Sequence, residues 1–96
     1  MKKLQYCVYV LQSLKDKKLY IGSTSNLNQR LTHHIKGHSL ATKSRRPLTL
    51  IFCEYFLAKK DCLRREKYFK TSPGKRALKI ILKESFQKMA CVNNLR

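Results

Sequence analysis

Tryptophan is absent, glycine occurs three times and proline twice, and only five of the 96 residues are acidic. Each scarcity excludes something. So little glycine and proline rules out a collagen-like or low-complexity chain, and it makes each such residue a piece of local punctuation. No apolar run approaches the roughly 18 residues that a membrane-spanning helix needs. Met1-Lys2-Lys3 is followed by an apolar stretch that Gln12 interrupts, too short for a secretory signal. The expected compartment is therefore a reducing cytoplasm, with association with the nucleoid. The four cysteines, Cys7, Cys53, Cys62 and Cys91, lack the close spacing of a zinc knuckle. Cys7 and Cys53 lie inside apolar runs, where a free thiol is expected to act as a small buried hydrophobe.

The scarcity of acid says most. Twenty-two Lys and Arg stand against five Asp and Glu, a formal net charge of +17. Apolar residues still make up 43% of the chain, so the sequence is expected to fold rather than remain disordered. A chain of this length is one domain that buries roughly 60–65% of its unfolded surface. Self-repulsion at this charge opposes the compact state, and a polyanionic partner relieves it. Nucleic acid is the first candidate and an acidic membrane surface the second. The second needs a helix with large apolar residues on one face and basic ones on the other, and no segment has that pattern.

Tyr6 through Leu11 is rich in β-branched and aromatic residues, which predicts a strand buried on both faces. Lys15-Asp16-Lys17-Lys18 is a polar turn, and Leu19-Tyr20-Ile21-Gly22 a second strand able to pair as a hairpin. Thr24-Ser25-Asn26 supplies an N-cap and Gly37 a C-terminal stop. Between them Leu27, Leu31 and Ile35 recur at helical spacing as the expected buried stripe. A basic loop, 38–47, leads to a third strand over 48–56. Residues 59–70 form a helix with apolar Cys62, Leu63 and Phe69. Ser72-Pro73 reads as an N-cap followed by proline at the first helical position. The last helix carries Ala77, Leu78, Ile81 and Leu82 on one face. The order ββαβαα predicts an α+β fold, a three-stranded antiparallel sheet flanked by helices. One domain is expected over 1–87, with a weakly patterned tail over 88–96.

Two features exceed what packing asks for. Arg30 and His34 sit at i, i+4 on the flank of the first helix's apolar stripe, while His33 points away. They either rim the helix and cover apolar surface or form a working cation–imidazole pair. Glu66 falls among Cys62 and Phe69, in the centre of the second helix's apolar stripe. A carboxylate aimed inward is costly unless it is ion-paired or holds a cation. Tyr9 and Tyr20 lie on the two paired strands, where tyrosine is ordinarily core with a bonded hydroxyl.

Val8-Tyr9-Val10, then Tyr20-Ile21-Gly22, then Arg30 and His34 on one helix and Glu66 on a later one, resemble the GIY-YIG nuclease domain. The Tyr20-Ile21-Gly22 half is literal; the first half keeps only the tyrosine. The stretches Val8–Ser13, Lys18–Gly22, Arg45-Arg46-Pro47-Leu48 and Arg64–Lys67 are similar to the small stand-alone bacterial subgroup. The resemblance spans about residues 6–76. It implies a divalent-metal-dependent endonuclease that hydrolyses nucleic-acid phosphodiester bonds, with Mg²⁺ or Mn²⁺ as cofactor and no small-molecule cofactor. Tyr9 and Tyr20 match the motif tyrosines, one of which activates or positions water. Arg30 matches the arginine on the scissile phosphate, His34 a position held by histidine or tyrosine, and Glu66 the metal-binding carboxylate. Gly22 matches the glycine that leaves room beside the catalytic tyrosine. Ser23 stands where some relatives carry lysine, and an asparagine found after the glutamate in some has no counterpart.

That chemistry suits these residue types. Mg²⁺ keeps several waters and needs only one or two carboxylates. Arginine's fork matches a phosphate. Among Tyr9, Tyr20 and His34 the residue types leave the general base open. The basic residues Lys43, Arg45 and Arg46 of the loop, and Lys59, Lys60, Arg64, Arg65 and Lys67 of the second helix, are expected to hold the nucleic-acid backbone without reading its sequence. DNA is the expected partner, with RNA as the alternative, in repair- or recombination-type processing. The competing reading is a non-catalytic nucleic-acid-binding module on the same fold.

Overall fold

A computed structural model describes residues 3–94, with side chains through Ala90. The side chain of Cys91 and the end of the expected 88–96 tail lie outside that description. Strand β1 (Tyr6–Ser13) is central, and β2 (Leu19–Thr24) and β3 (Leu48–Phe56) flank it antiparallel in the order β2-β1-β3. Helices α1 (Leu27–Ile35), α2 (Lys59–Phe69), α3 (Ser72–Ile81) and α4 (Lys83–Asn94) complete the chain. The predicted α+β architecture is thus present, with one helix more than the pattern suggested. The break falls at Leu82, whose amide bonds the Leu78 carbonyl before the chain re-enters a helix. Helix α4 continues past residue 88, the start of the expected weakly patterned tail.

Side chains of a strand alternate between faces, so β1 feeds two interiors. Val8 and Val10 join Ile21, Cys62, Phe69, Leu78 and Leu82 in an apolar core under α2, α3 and α4. Cys7, Tyr9 and Leu11 pack on the other face with Tyr20, Leu27, Leu31 and Leu48. Among the described residues α1 is the one helix over that second face, and Cys53 and Tyr55 of the β3 edge stay exposed there. The burial expected for Cys53 therefore does not occur, because no described helix lies over its side of β3. Cys7 is buried, and burial pushes its thiol up to about 11, leaving an inert apolar group.

The caps follow local chemistry. Asn26 caps α1, its side-chain oxygen accepting from the Gln29 amide at 3.1 Å. Gly37 sits at φ +77° just beyond that helix, a left-handed conformation that glycine adopts without a Cβ penalty. Thr71, not Ser72, caps α3: its hydroxyl accepts from the Gly74 amide at 3.1 Å. A cap of this kind contributes about 1 kcal/mol. The stripe predicted for α1 is rotated by about one residue. Leu27 and Leu31 are half-buried as expected, but Ile35 is 68% exposed and His34 takes the buried position. The helix turns His34 toward the sheet because a buried tyrosine hydroxyl waits there.

Candidate functional site

Tyr9 projects from the middle of β1 and is completely buried. Its register partner on β2 is Gly22. A Cβ on Gly22 would lie 2.6 Å from the Tyr9 hydroxyl oxygen, so the glycine is the recess into which the phenol fits. Tyr20, two residues earlier on the same face of β2, tilts its ring 6.2 Å from that of Tyr9. His34 meets both rings edge-on, at 5.7 Å from Tyr9 and 5.0 Å from Tyr20. Its Nε2 is 2.9 Å from the Tyr9 hydroxyl, and its Nδ1 is 2.7 Å from the Thr42 hydroxyl.

The electrostatics of this cluster favour an uncharged interior under a charged lid. Burial raises the Tyr9 pKa above that of an ordinary phenol, while the Arg30 guanidinium beside the hydroxyl pulls it down. The tyrosine hydroxyls hold Arg30 firmly in its charged form, Tyr9 above all. Burial, and then the positive charges of Arg30 and His33, lower the His34 pKa, so its imidazole is neutral at pH 7. Tyr9 and His34 are closed to solvent, whereas Tyr20 and Arg30 are half-exposed. Only the latter two can touch a bound molecule in this conformation.

Glu66 stands on the other side of β2. Alternation sends Tyr20 and Gly22 to the α1 face and Ser23 to the α2 face. The Ser23 hydroxyl donates to Glu66 Oε1 at 2.6 Å, and Lys70 Nζ donates to Oε2 at 3.0 Å. The centre of the α2 apolar stripe is held by Cys62 and Phe69, and Glu66 lies at its border with its side chain 19% exposed. The carboxylate is thus a rim group facing the β2 edge rather than the buried charge that the helical wheel suggested. Among the described residues no group of three or more His, Cys, Asp and Glu converges on a metal-sized site. The donor set at Glu66, a carboxylate beside a hydroxyl and open to water, fits a hard hydrated cation such as Mg²⁺ and not zinc.

The basic residues divide. Arg45 pairs with Asp16 at 3.6 Å and donates to the Leu19 carbonyl, and Arg46 donates to the Ile35 and Lys43 carbonyls. These two tie the 38–47 loop to the β1–β2 turn and to α1. Arg65 pairs with Glu54 at 2.8 Å and lies 4.4 Å over the Phe69 ring. Arg64 makes an exposed pair with Asp61. Lys43, Lys59, Lys60 and Lys67 are exposed. Two polar contacts of the site had no mark in the sequence pattern, Thr42 behind His34 and Ser23 on Glu66. A threonine in a polar loop carries no periodicity, and only the fold brings it against a side chain eight residues back.

What the fold and site define is a small, basic α+β domain with a phenol, guanidinium and imidazole cluster at one side of a sheet edge and a carboxylate at the other. A family model described as the GIY-YIG catalytic domain matches residues 5–79. The chain belongs to the GIY-YIG family, whose domains are those of endonucleases. It is also similar to UPF0213 protein SH2523 of Staphylococcus haemolyticus, 37% identical over 78 residues, covering 80% of this chain and 94% of the relative. UPF0213 protein CPE1444 of Clostridium perfringens is 35% identical over 81 residues, 83% of this chain and 86% of the relative. UPF0213 protein YazA of Bacillus subtilis is 42% identical over 57 residues, 58% of each chain.

Proposed function

We propose that this chain is a divalent-metal-dependent endonuclease that hydrolyses phosphodiester bonds in DNA, directed by backbone or structure rather than by long sequence. The observation that carries this reading is the placement of Tyr20 and Arg30 at the surface above the buried Tyr9–His34 pair, with Glu66 just across the β2 edge. A phosphodiester laid over Gly22 and Ser23 meets the arginine fork on one side and the carboxylate on the other. Arg30 binds and orients the phosphate and stabilises the charge that builds on its oxygens. Tyr20, the exposed phenol, positions the attacking water. Behind it His34 is neutral at pH 7 and able to accept a proton. Glu66, with the Ser23 hydroxyl beside it, holds the cation, which when bound supplies Lewis-acid neutralisation of the phosphate charge. The remaining charge, on exposed lysines such as Lys59, Lys60 and Lys67, holds the strands non-specifically. The domain reading of 1–87 with a separate tail, a cytoplasmic location and a role in repair or recombination belong to the same proposal.

The test is cleavage of a labelled panel of duplex, nicked, branched and single-stranded DNA in Mg²⁺ or Mn²⁺, with and without chelator. Wild type should cut in a metal-dependent way, and Glu66→Ala should fall to background. Identical cleavage by the two proteins would sink the reading. One observation favours a non-catalytic module on the same fold: both Glu66 oxygens already have protein partners, Ser23 and Lys70. That module would bind DNA with a salt slope of about −0.9 per phosphate neutralised and would need no metal.

A further inference from the structure

The polar residue that the proposed chemistry does not use is Thr42. It stands in the basic loop, at the start of a short 3-10 turn over Lys43–Arg45, and is completely buried. The loop holds it in place: its amide donates to the Ser39 carbonyl at 3.2 Å, and its carbonyl accepts from the Arg45 amide at 2.9 Å. Its hydroxyl faces inward, 2.7 Å from His34 Nδ1, while His34 Nε2 is 2.9 Å from the Tyr9 hydroxyl. Thr42, His34 and Tyr9 therefore form one line of hydrogen bonds, all three closed to solvent.

A neutral imidazole carries one N–H and one lone pair, and the hydroxyls at the two ends can each donate or accept. The acidity of the two hydroxyls decides the polarity. A phenol, with a pKa of about 10, is a stronger donor than an aliphatic hydroxyl, so the single proton of Tyr9 points at Nε2. Nε2 must then carry the lone pair and Nδ1 the proton, and a buried N–H at Nδ1 needs an acceptor. Thr42 Oγ1 is the acceptor within reach. We propose that Thr42 is a positioning residue whose buried hydroxyl holds His34 in the Nδ1–H tautomer and turns the Nε2 lone pair onto the Tyr9 hydroxyl. Its consequence for catalysis rests on the endonuclease reading above; the tautomer itself does not.

The experiment uses the full chain with ¹⁵N-labelled histidine, and reads the ring nitrogens of His34 by long-range ¹H–¹⁵N correlation at pH 7.5. Wild type and Thr42→Ser should show a protonated Nδ1 and a bare Nε2. Thr42→Val, which keeps the shape and removes the acceptor, should shift His34 toward the Nε2–H form. A wild-type His34 protonated on Nε2 overturns the proposal, and so does a Thr42→Val spectrum unchanged from wild type. Should Thr42→Val fail to fold, the wild-type and Thr42→Ser spectra still decide the tautomer. In the DNA cleavage assay Thr42→Val should be slower by about 10-fold or more, the usual penalty for losing the partner that orients a functional imidazole, with Thr42→Ser restoring the rate. An unchanged rate with the tautomer shifted overturns the role of Thr42 in the reaction. A chain that shows the expected tautomers and cuts no DNA under any metal condition sinks the endonuclease reading and leaves the tautomer assignment standing.

Discussion

The two faces of the sheet are built from alternate residues of the same strands, yet they are different kinds of interior. Val8, Val10 and Ile21 enter a dry core that Phe69, Leu78 and Leu82 close from α2, α3 and the end of α3. Tyr9 and Tyr20, their immediate neighbours, enter a polar interior completed by His34 and Thr42 and roofed by one helix. The first face is apolar but for the Cys62 thiol and gains stability in proportion to the apolar area removed from water. The second face buries hydroxyls and an imidazole, which contribute little net stability and need every partner in place. Most of the fold's stability therefore comes from the α2–α4 side, and the proposed chemistry, apart from the Glu66 carboxylate, from the α1 side. Gly22 and Ser23 are where the two meet.

The largest effect that separates the faces is Phe69→Ala. The ring is completely buried and packs edge-on against Phe52 at 5.8 Å. Its loss should lower unfolding free energy by about 3–5 kcal/mol in urea melts, while DNA cleavage per folded molecule stays at the wild-type level. Arg30→Ala should do the reverse. It removes the guanidinium proposed to bind the phosphate, so kcat should fall by about 10²–10³-fold while stability moves by less than about 1 kcal/mol. A Phe69 variant with intact stability, or an Arg30 variant with intact cleavage, would break the division between the faces.

Much of this division was legible in the sequence. The alternation in β1, the literal Tyr20-Ile21-Gly22 motif, and Arg30, His34 and Glu66 at helical spacings give the strands, the helices and the candidate site residues. Three things were not legible, each for a physical reason. Ile35 lies on the helical stripe by spacing, but α1 rotates to satisfy the Tyr9 hydroxyl, and a wheel does not weigh a hydrogen bond against an isoleucine. Glu66 shares its stripe with Cys62 and Phe69, but a long side chain can leave the stripe for a hydroxyl on a neighbouring strand, here Ser23. Arg45, Arg46 and Arg65 look like surface charge in a basic sequence, and it takes tertiary contacts with Asp16, the Ile35 carbonyl and Glu54 to make them fold-holding groups.

Gly22→Ala tests the meeting point and should have an intermediate effect. The added Cβ would fall 2.6 Å from the Tyr9 hydroxyl and 3.1 Å from the Tyr20 ring, so the phenols must shift. Overpacking of this kind should cost about 1–3 kcal/mol of stability. It should also lower cleavage by more than the loss of folded protein accounts for, because the Tyr9–His34 bond is disturbed. Equilibrium unfolding beside single-turnover cleavage separates the two losses. A loss confined to stability would place Gly22 on the packing side of the comparison alone.

The smallest effect is a pH dependence confined to the polar face. Burial depresses the His34 pKa below the ordinary 6.5, and the nearby positive groups Arg30 and His33 push the same way. Tyr9 and Tyr20 are the other titratable side chains against the ring, and burial raises the Tyr9 pKa further from this range. The unfolded chain thus takes up a proton on this histidine at a pH where the folded chain does not. Stability rises with pH wherever the unfolded state binds more protons. The contribution of His34 is therefore fully present above about pH 7 and is lost as the pH falls through 6.5 toward the depressed folded value. Urea midpoints at pH 7.5 and pH 5.5 should show wild type losing stability on acidification. His34→Gln should lose less. Equal losses would mean that His34 is solvated well enough to charge in place, and the polar face would then be a wet cleft rather than an interior.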